Sequence, residues 1–261
     1  MIRLHTVATV ALLLVFGLWA ACGNDPRARR ADSELGGSIL VSAATSLTAP
    51  FTQIGQNFTR AHRAVDVQFN FGASSALADQ IVAGNSSDVF ASADQANVTK
   101  LDDAGLLAGR AAVFARNRLA IVTKPGNPEG IRSLADLPAA GVISLCDLAV
   151  PCGKYAAQAL EAAKVSVPEG RVTRGQNVRA TLTAVTDSDA VAAIVYASDA
   201  KGAGARVATV VLPDSKNVIA VYPAVTLKAA RNAMTAKAFV AFLRGAKGQR
   251  ILKEFGFLAP A

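Results

Sequence analysis

The sequence predicts an α/β protein with two α/β domains, whose mainly parallel sheets flank a ligand cleft. Three observations predict it. Short apolar runs alternate with helical runs between residues 39 and 118. The alternation resumes after the turn cluster Lys124-Pro125-Gly126-Asn127-Pro128. Two closing helical runs, 235–243 and 247–254, need a sheet to cover, so the chain returns to its first domain at its end.

Each element has its own signal. Residues 39–41 are a short apolar strand, and 49–60 a helix with Phe51, Ile54 and Phe58 at helical spacing. Residues 65–71 alternate as a strand. Residues 74–83 read as a helix ending at Gly84, 88–91 as a strand, and 95–104 as a helix closed by Gly105. Residues 119–123 are a strand leading into the turn cluster. The second set has helices at 133–137, 153–163 and 178–185. Its strands fall at 142–145, 171–173, 191–196 and 207–212, with a further strand at 218–225. The expected division is a discontinuous first domain, 38–118 with 224–261, and a second domain, 119–223. In such sheets ligands bind at the carboxyl ends of the strands.

The chain has 261 residues, 52% of them hydrophobic and 18% charged, which suits a sizeable core and excludes disorder. The formal net charge is +8. Outside Arg27, Arg29 and Arg30 the basic residues are scattered, and no aromatics interleave with them, so the charge reads as a basic surface rather than a nucleic-acid site.

Residues 1–22 read as a signal peptide: Arg3 precedes an apolar run that is short for a membrane span. Its end, Leu18-Trp19-Ala20-Ala21-Cys22-Gly23, resembles a bacterial lipobox in which Cys22 is cleaved and acylated, although Trp19 stands where the motif has Leu, Val or Ile. A secretory signal with a chance cysteine is the alternative, which would leave the protein free in the periplasm or secreted. One acyl chain anchors only marginally. Residues 23–37 read as a flexible tether. Export makes a disulfide between Cys146 and Cys152 feasible, with two free buried thiols as the alternative. A zinc site is poor, because the two cysteines lack histidine partners: His5 lies in the leader, leaving His62.

Four strand-to-helix junctions carry small or hydroxyl residues. Residues 39–47 end in Ala44-Thr45-Ser46-Leu47, with Ser46 expected to cap the next helix. Residues 69–77 pass through Gly72 and Ala73 to Ser74 or Ser75 as the cap. The third is Val150-Pro151-Cys152-Gly153-Lys154-Tyr155, and the fourth Gly175-Gln176-Asn177-Val178-Arg179, with Asn177 as a cap. Free N–H groups at a helix start form an anion site without any cationic side chain. Taken singly, such junctions are ordinary helix starts; facing one another across a cleft, they would converge on one ligand.

These stretches, together with Asp88-Val89-Phe90-Ala91-Ser92-Ala93-Asp94, Ile194-Val195-Tyr196-Ala197-Ser198-Asp199-Ala200 and the closing residues 248–257, resemble the molybdate-binding proteins of molybdate ABC transporters. The resemblance runs in order from about residue 38 to residue 258. It implies a type II periplasmic-binding-protein fold, no enzyme activity and no cofactor. The implied partners are molybdate or tungstate and a membrane permease, with the protein a monomer. Carried over by motif, Ser46 and Ser74 would each offer a hydroxyl and a backbone N–H. Cys152, where many members have Ala, and Val178 would each offer a backbone N–H, and Tyr196 its phenol. The metal would arrive only as its oxyanion, with no direct metal ligands on the protein.

Molybdate at neutral pH is a dianion without protons and wants donors only. Phosphate keeps a proton and benefits from a carboxylate; the serine junctions carry none, because Asp79 lies deeper in its helix. Sulfate is also a donor-only ligand, so a sulfate receptor stays open and size must separate the two. An exported serine hydrolase using Ser46 or Ser74 is the other rival. It lacks a Gly-x-Ser-x-Gly elbow, and His62 sits near a helix end. Lys154 and Arg179 near the cleft read as surface charges, with steering of the anion as the alternative.

Overall fold

The computed structural model describes residues 35–260. The expected signal peptide at 1–22, the lipidation site Cys22 and residues 23–34 of the expected tether lie outside the described residues. The first sheet is built from β1 (Gly37–Ala44), β2 (Val65–Gly72), β3 (Val89–Ala91), β4 (Ala112–Asn117) and β10 (Ala220–Thr226), in the order β2-β1-β3-β10-β4. The second is built from β5 (Leu119–Thr123), β6 (Ile143–Cys146), β7 (Val172–Gly175), β8 (Ala192–Tyr196) and β9 (Ala208–Val211), in the order β7-β6-β8-β5-β9.

Each sheet has a single reversed strand. β1 pairs in parallel with β2 and β3, whereas β10 runs antiparallel to both β3 and β4. In the second sheet β6 is parallel to β7 and β8, and β5 is antiparallel to β8 and β9. β5 and β10 follow the two crossings between the sheets. A strand arriving from the other sheet enters from the opposite end, so it runs against its new neighbours. Gly37, expected in the tether, is already paired with Val65 in the first sheet.

The helices are α1 (Thr48–Ala61), α2 (Ser74–Val82), α3 (Gln95–Asp103), α4 (Pro151–Ala162), α5 (Val178–Thr186), α6 (Ala197–Ala203), α7 (Ala233–Arg244) and α8 (Ala246–Glu254). α1 buries Phe51, Ile54 and Phe58, the residues its periodicity singles out. Phe51 meets Phe114 of β4 at 5.6 Å between ring centres, and Phe58 meets Phe239 of α7 edge-on at 5.4 Å. Burying such side chains stabilises by about 1.5–3 kcal/mol each. α7 thereby covers the first sheet, and Leu258 near the chain end bridges back to Arg116 in β4. β5 and β8 are buried along their whole length, as strands covered on both faces must be.

Two elements escape the sequence pattern. β4 is not read as a strand because Arg116 and Asn117 interrupt its apolar run. α6 is a short helix directly after β8, too brief to show a period. The crossings are pinned by asparagines. Asn217 accepts from Leu119 N–H and donates to Leu119 C=O, both at 2.9 Å, so the two connections lie side by side. Asn117 is fully buried, and its Nδ2 donates to Ser198 Oγ at 2.7 Å.

Candidate functional site

One cavity lies at the carboxyl ends of strands from both sheets, where open α/β sheets bind ligands. It is lined by residues 44–46 at the end of β1, 72–74 at the end of β2, Ala93 after β3, 150–152 at the start of α4, 177 and 178 at the start of α5, and Tyr196 at the end of β8. Ser46, Ser74, Cys152, Val178 and Tyr196 therefore stand together around a single space, and all five are buried. The space is small. About 20 Å³ is open to the centre of a water-sized particle, enough for a compact ion and too little for an organic solute. A neighbouring groove that shares Thr45 and Ser46 is far larger, about 350 Å³, and is flanked by Arg179 and Arg206.

The expected roles of the serines as caps are corrected. Ser46 lies inside a 3-10 turn (Thr45–Leu47) capped by Ala44, and Ser74 is the first residue of α2, capped by Ala73; neither start has a side-chain cap bond. A capping serine commits its oxygen to a backbone N–H of its own helix. Two residues past the cap for Ser46 and one for Ser74, the hydroxyl is free of that bond and lies at the cavity. Asn177 does cap: its Oδ1 accepts from Ala180 N–H at 3.0 Å, leaving the first N–H groups of α5 without a side-chain partner.

The second-sheet rim is braced. Cys146 and Cys152 form a disulfide with Cα atoms 5.8 Å apart, tying the first turn of α4 to the end of β6. Thr181 Oγ1 donates to Cys146 Sγ at 3.2 Å, and Arg174 Nη1 donates to the Cys146 carbonyl at 3.1 Å. Gly153 has to be glycine, because a Cβ there would overlap the Asp147 carbonyl. Pro151 at the first turn gives up an N–H that has no helical acceptor anyway.

Like Thr45 Oγ1 on the same lining, Tyr196 is a polar anomaly. Its hydroxyl is buried and has no hydrogen-bond partner among the described residues. Its ring is held by Tyr155 at 6.5 Å and Tyr222 at 5.8 Å between centres. Burial pushes its pKa well up, with further push from Tyr222, Tyr155, Asp199 and Asp94, so the phenol keeps its proton. A buried hydroxyl left unpaired costs about 1–3 kcal/mol. The cavity is thus rimmed by donors, and its lining contains no Asp, Glu, Lys or His. His62 packs on Phe58 at the far end of α1 and takes no part in the lining.

Charges stand just outside. Lys154 Nζ lies 3.7 Å from Asp94 Oδ2, an ion pair that bridges the two rims. Asp94 Oδ1 also accepts from Asn97 N–H at 3.0 Å, capping α3. Asp199 sits behind Tyr196 in the first turn of α6, with Oδ2 shut off from solvent and unpartnered. Burial pushes its pKa up to about 7, against the opposing pull of Arg179. Lys154 and Arg179, read from sequence as bare surface charges, thus have acidic neighbours. The sequence signal that would have found the Lys154 pairing is weak: Asp94 opens a helix, as many aspartates do.

A family model described as bacterial extracellular solute-binding protein matches residues 39–258. The molybdate-binding protein ModA of Mycobacterium tuberculosis (strain ATCC 25618 / H37Rv) is 39% identical over 253 residues, covering 96% of each chain. Among solved structures, the periplasmic molybdate-binding protein of Azotobacter vinelandii aligns with a TM-score of 0.77 at 22% identity, covering 85% of this chain and 100% of that one. The sulfate-binding protein SubI of Mycobacterium tuberculosis H37Rv aligns at 0.75 with 18% identity, covering 84% and 86%. The two solved structures share the fold, so the fold by itself does not separate one oxyanion from another.

Proposed function

The chain belongs to the bacterial extracellular solute-binding proteins, on their molybdate-binding branch, and from that premise we propose that it captures molybdate in the cavity and hands it to an ABC permease. The observation that carries the reading is the buried Tyr196 hydroxyl with no partner, on a cavity rimmed by helix starts and free of acids and bases. Each charge-assisted bond to a dianion is worth about 1.5–3 kcal/mol, and the anion relieves the unpaired phenol. Ser46 and Ser74 supply hydroxyls and N–H groups, Cys152 and Val178 supply N–H groups, and Tyr196 supplies its phenol.

The two halves, 38–118 with 224–261 and 119–223, close on the ion by rotation at the paired crossings. The Lys154–Asp94 pair forms as they close. Tungstate, nearly the same size, binds comparably. The protein acts as a monomer outside the cytoplasm, held to the membrane by a lipid on Cys22. A sulfate receptor is the second reading, since sulfate too asks only for donors; a ring of donors set for the longer metal–oxygen bonds leaves sulfate with stretched contacts. A hydrolase is disfavoured because, among the described residues, no Asp, Glu, Lys or His lines the cavity beside Ser46 and Ser74, and the relatives are solute-binding proteins.

A thermal-shift panel on ion-free protein tests the reading. Molybdate and tungstate at a hundred times Kd should stabilise by about 2.7 kcal/mol, raising the melting point by about 5–10 °C, while phosphate leaves it unchanged. A shift with sulfate alone would favour the second reading; no shift with molybdate or tungstate would sink the assignment.

A further inference from the structure

The two serines on the cavity each have a second polar group behind them. Ser74 Oγ accepts from the backbone N–H of Ala93 at 3.0 Å. Ser46 Oγ lies 3.0 Å from the hydroxyl of Tyr222. Tyr222 is fully buried and is not part of the cavity lining. It stands on β10, where the pairing with β4 slips between Tyr222 and Pro223. Such bulges re-aim side chains beside functional sites and accommodate a proline in a central strand. The ring is wedged edge-on against Phe257 at 5.3 Å and Phe114 at 6.3 Å, so its hydroxyl is held in place.

The direction of these bonds matters. A hydroxyl carries one hydrogen and accepts through its lone pairs. An amide N–H can only donate, so the bond from Ala93 leaves the Ser74 hydrogen free for a ligand. In the Ser46–Tyr222 pair either oxygen can donate, and two features set the choice. A phenol is the more acidic hydroxyl and the stronger donor, and burial raises the Tyr222 pKa, so it keeps its proton. A bound dianion can only accept, so the Ser46 hydrogen is drawn to the cavity rather than to Tyr222. The Tyr222 hydrogen is then left for Ser46, and the Ser46 hydrogen for the cavity.

We propose that Tyr222 and the Ala93 N–H are positioning groups that bias both serine hydroxyls to donate into the cavity, so that the site favours fully deprotonated oxyanions over those carrying a proton. The inference rests on the oxyanion-binding function proposed above and deepens it: Tyr222 is a specificity determinant that never touches the ion. Monohydrogen phosphate brings one P–OH that needs an acceptor. Each serine oxygen keeps one lone pair and Thr45 Oγ1 on the lining is unpartnered, but turning a serine to accept from the P–OH leaves that serine's own hydrogen without a partner.

The test is Tyr222→Phe, which keeps the ring and its packing. Affinities for molybdate, sulfate and phosphate are measured by direct and competition titration at pH 8. Molybdate and sulfate should weaken by about ten-fold, the worth of one good hydrogen bond, while phosphate holds or tightens. The phosphate-to-sulfate ratio therefore moves about ten-fold, which a mere packing defect would not produce. In a Ser46→Ala background the same change should move molybdate affinity less than two-fold. Should Tyr222→Phe fail to fold, Ser46→Cys offers Tyr222 only a weak sulfur acceptor and carries the same ratio test. Equal losses for all three anions, or no loss at all, overturn the inference while leaving molybdate binding by the unaltered protein intact. Absence of molybdate binding by the unaltered protein removes the function and this inference together.

Discussion

The two rims of the cavity solve the same problem with different chemistry. The first-sheet rim offers serine hydroxyls, each hydrogen-bonded to a second group: an amide for Ser74 and a phenol for Ser46. The second-sheet rim, apart from Tyr196, offers peptide N–H groups at the starts of α4 and α5, held by a disulfide and an asparagine cap. Hydroxyls rotate and need a partner to fix their hydrogen. Peptide N–H groups point where the backbone points and need only a rigid backbone. Side-chain identity should therefore matter on one rim and backbone stiffness on the other.

The largest expected effect is at Tyr196, the one side-chain donor on the second rim. Tyr196→Phe removes a charge-assisted bond without opening a cavity, so molybdate affinity should fall about 10- to 150-fold with the melting point of the ion-free protein unchanged or higher, because an unpaired hydroxyl is gone. Unchanged affinity in isothermal titration would remove Tyr196 from the site. The contrast between rims is sharpest in a three-way comparison. Ser46→Ala and Ser74→Ala should each cost about ten-fold or more in affinity, whereas Val178→Ala, which keeps the N–H, should cost less than about three-fold. Equal losses at all three would break the comparison.

Removing the disulfide probes stiffness alone. Replacing Cys146 and Cys152 by alanine opens a short loop and should lower stability by about 2 kcal/mol, read as a melting-point drop of about 4–8 °C. Affinity should fall only a few-fold, since the Cys152 N–H survives. A smaller effect comes from the acid behind the second rim. Asp199 has its pKa pushed up to about 7 by burial, so it gains charge as pH rises through that value. A new negative charge near the cavity disfavours a dianion, so molybdate affinity should rise a few-fold from pH 8 to pH 6. Asp199→Asn should flatten that profile; a slope that persists in the variant would assign it elsewhere.

Much of this was legible in the primary structure. The spacing of Phe51, Ile54 and Phe58, the small residues at four strand ends and the apolar runs at 119–123 and 191–196 are local signals, and local propensity with burial was enough to read them. The serines were found for a reason that needed correcting. Hydroxyl residues at helix starts read as caps, yet Ala44 and Ala73 hold those positions, and the serines lie one or two residues further in. A shift of that size is below the resolution of pattern reading, but it decides whether a hydroxyl serves its own helix or the cavity. β4 and α6 were missed because one is broken by polar residues and the other is shorter than two turns.

By itself the sequence determined the alternation of strands and helices, the glycines and prolines that end them, and the set of residue types at each junction. These depend on backbone preference and on which side chains leave water. Only the tertiary structure brought the hydroxyl of Tyr222, 176 positions along the chain, to 3.0 Å from that of Ser46. Only it paired Lys154 with Asp94 across the rims and left Tyr196 buried without a partner. Hydrogen bonds and ion pairs act over a few ångströms in space, and no local pattern records which distant strand end will arrive within that range.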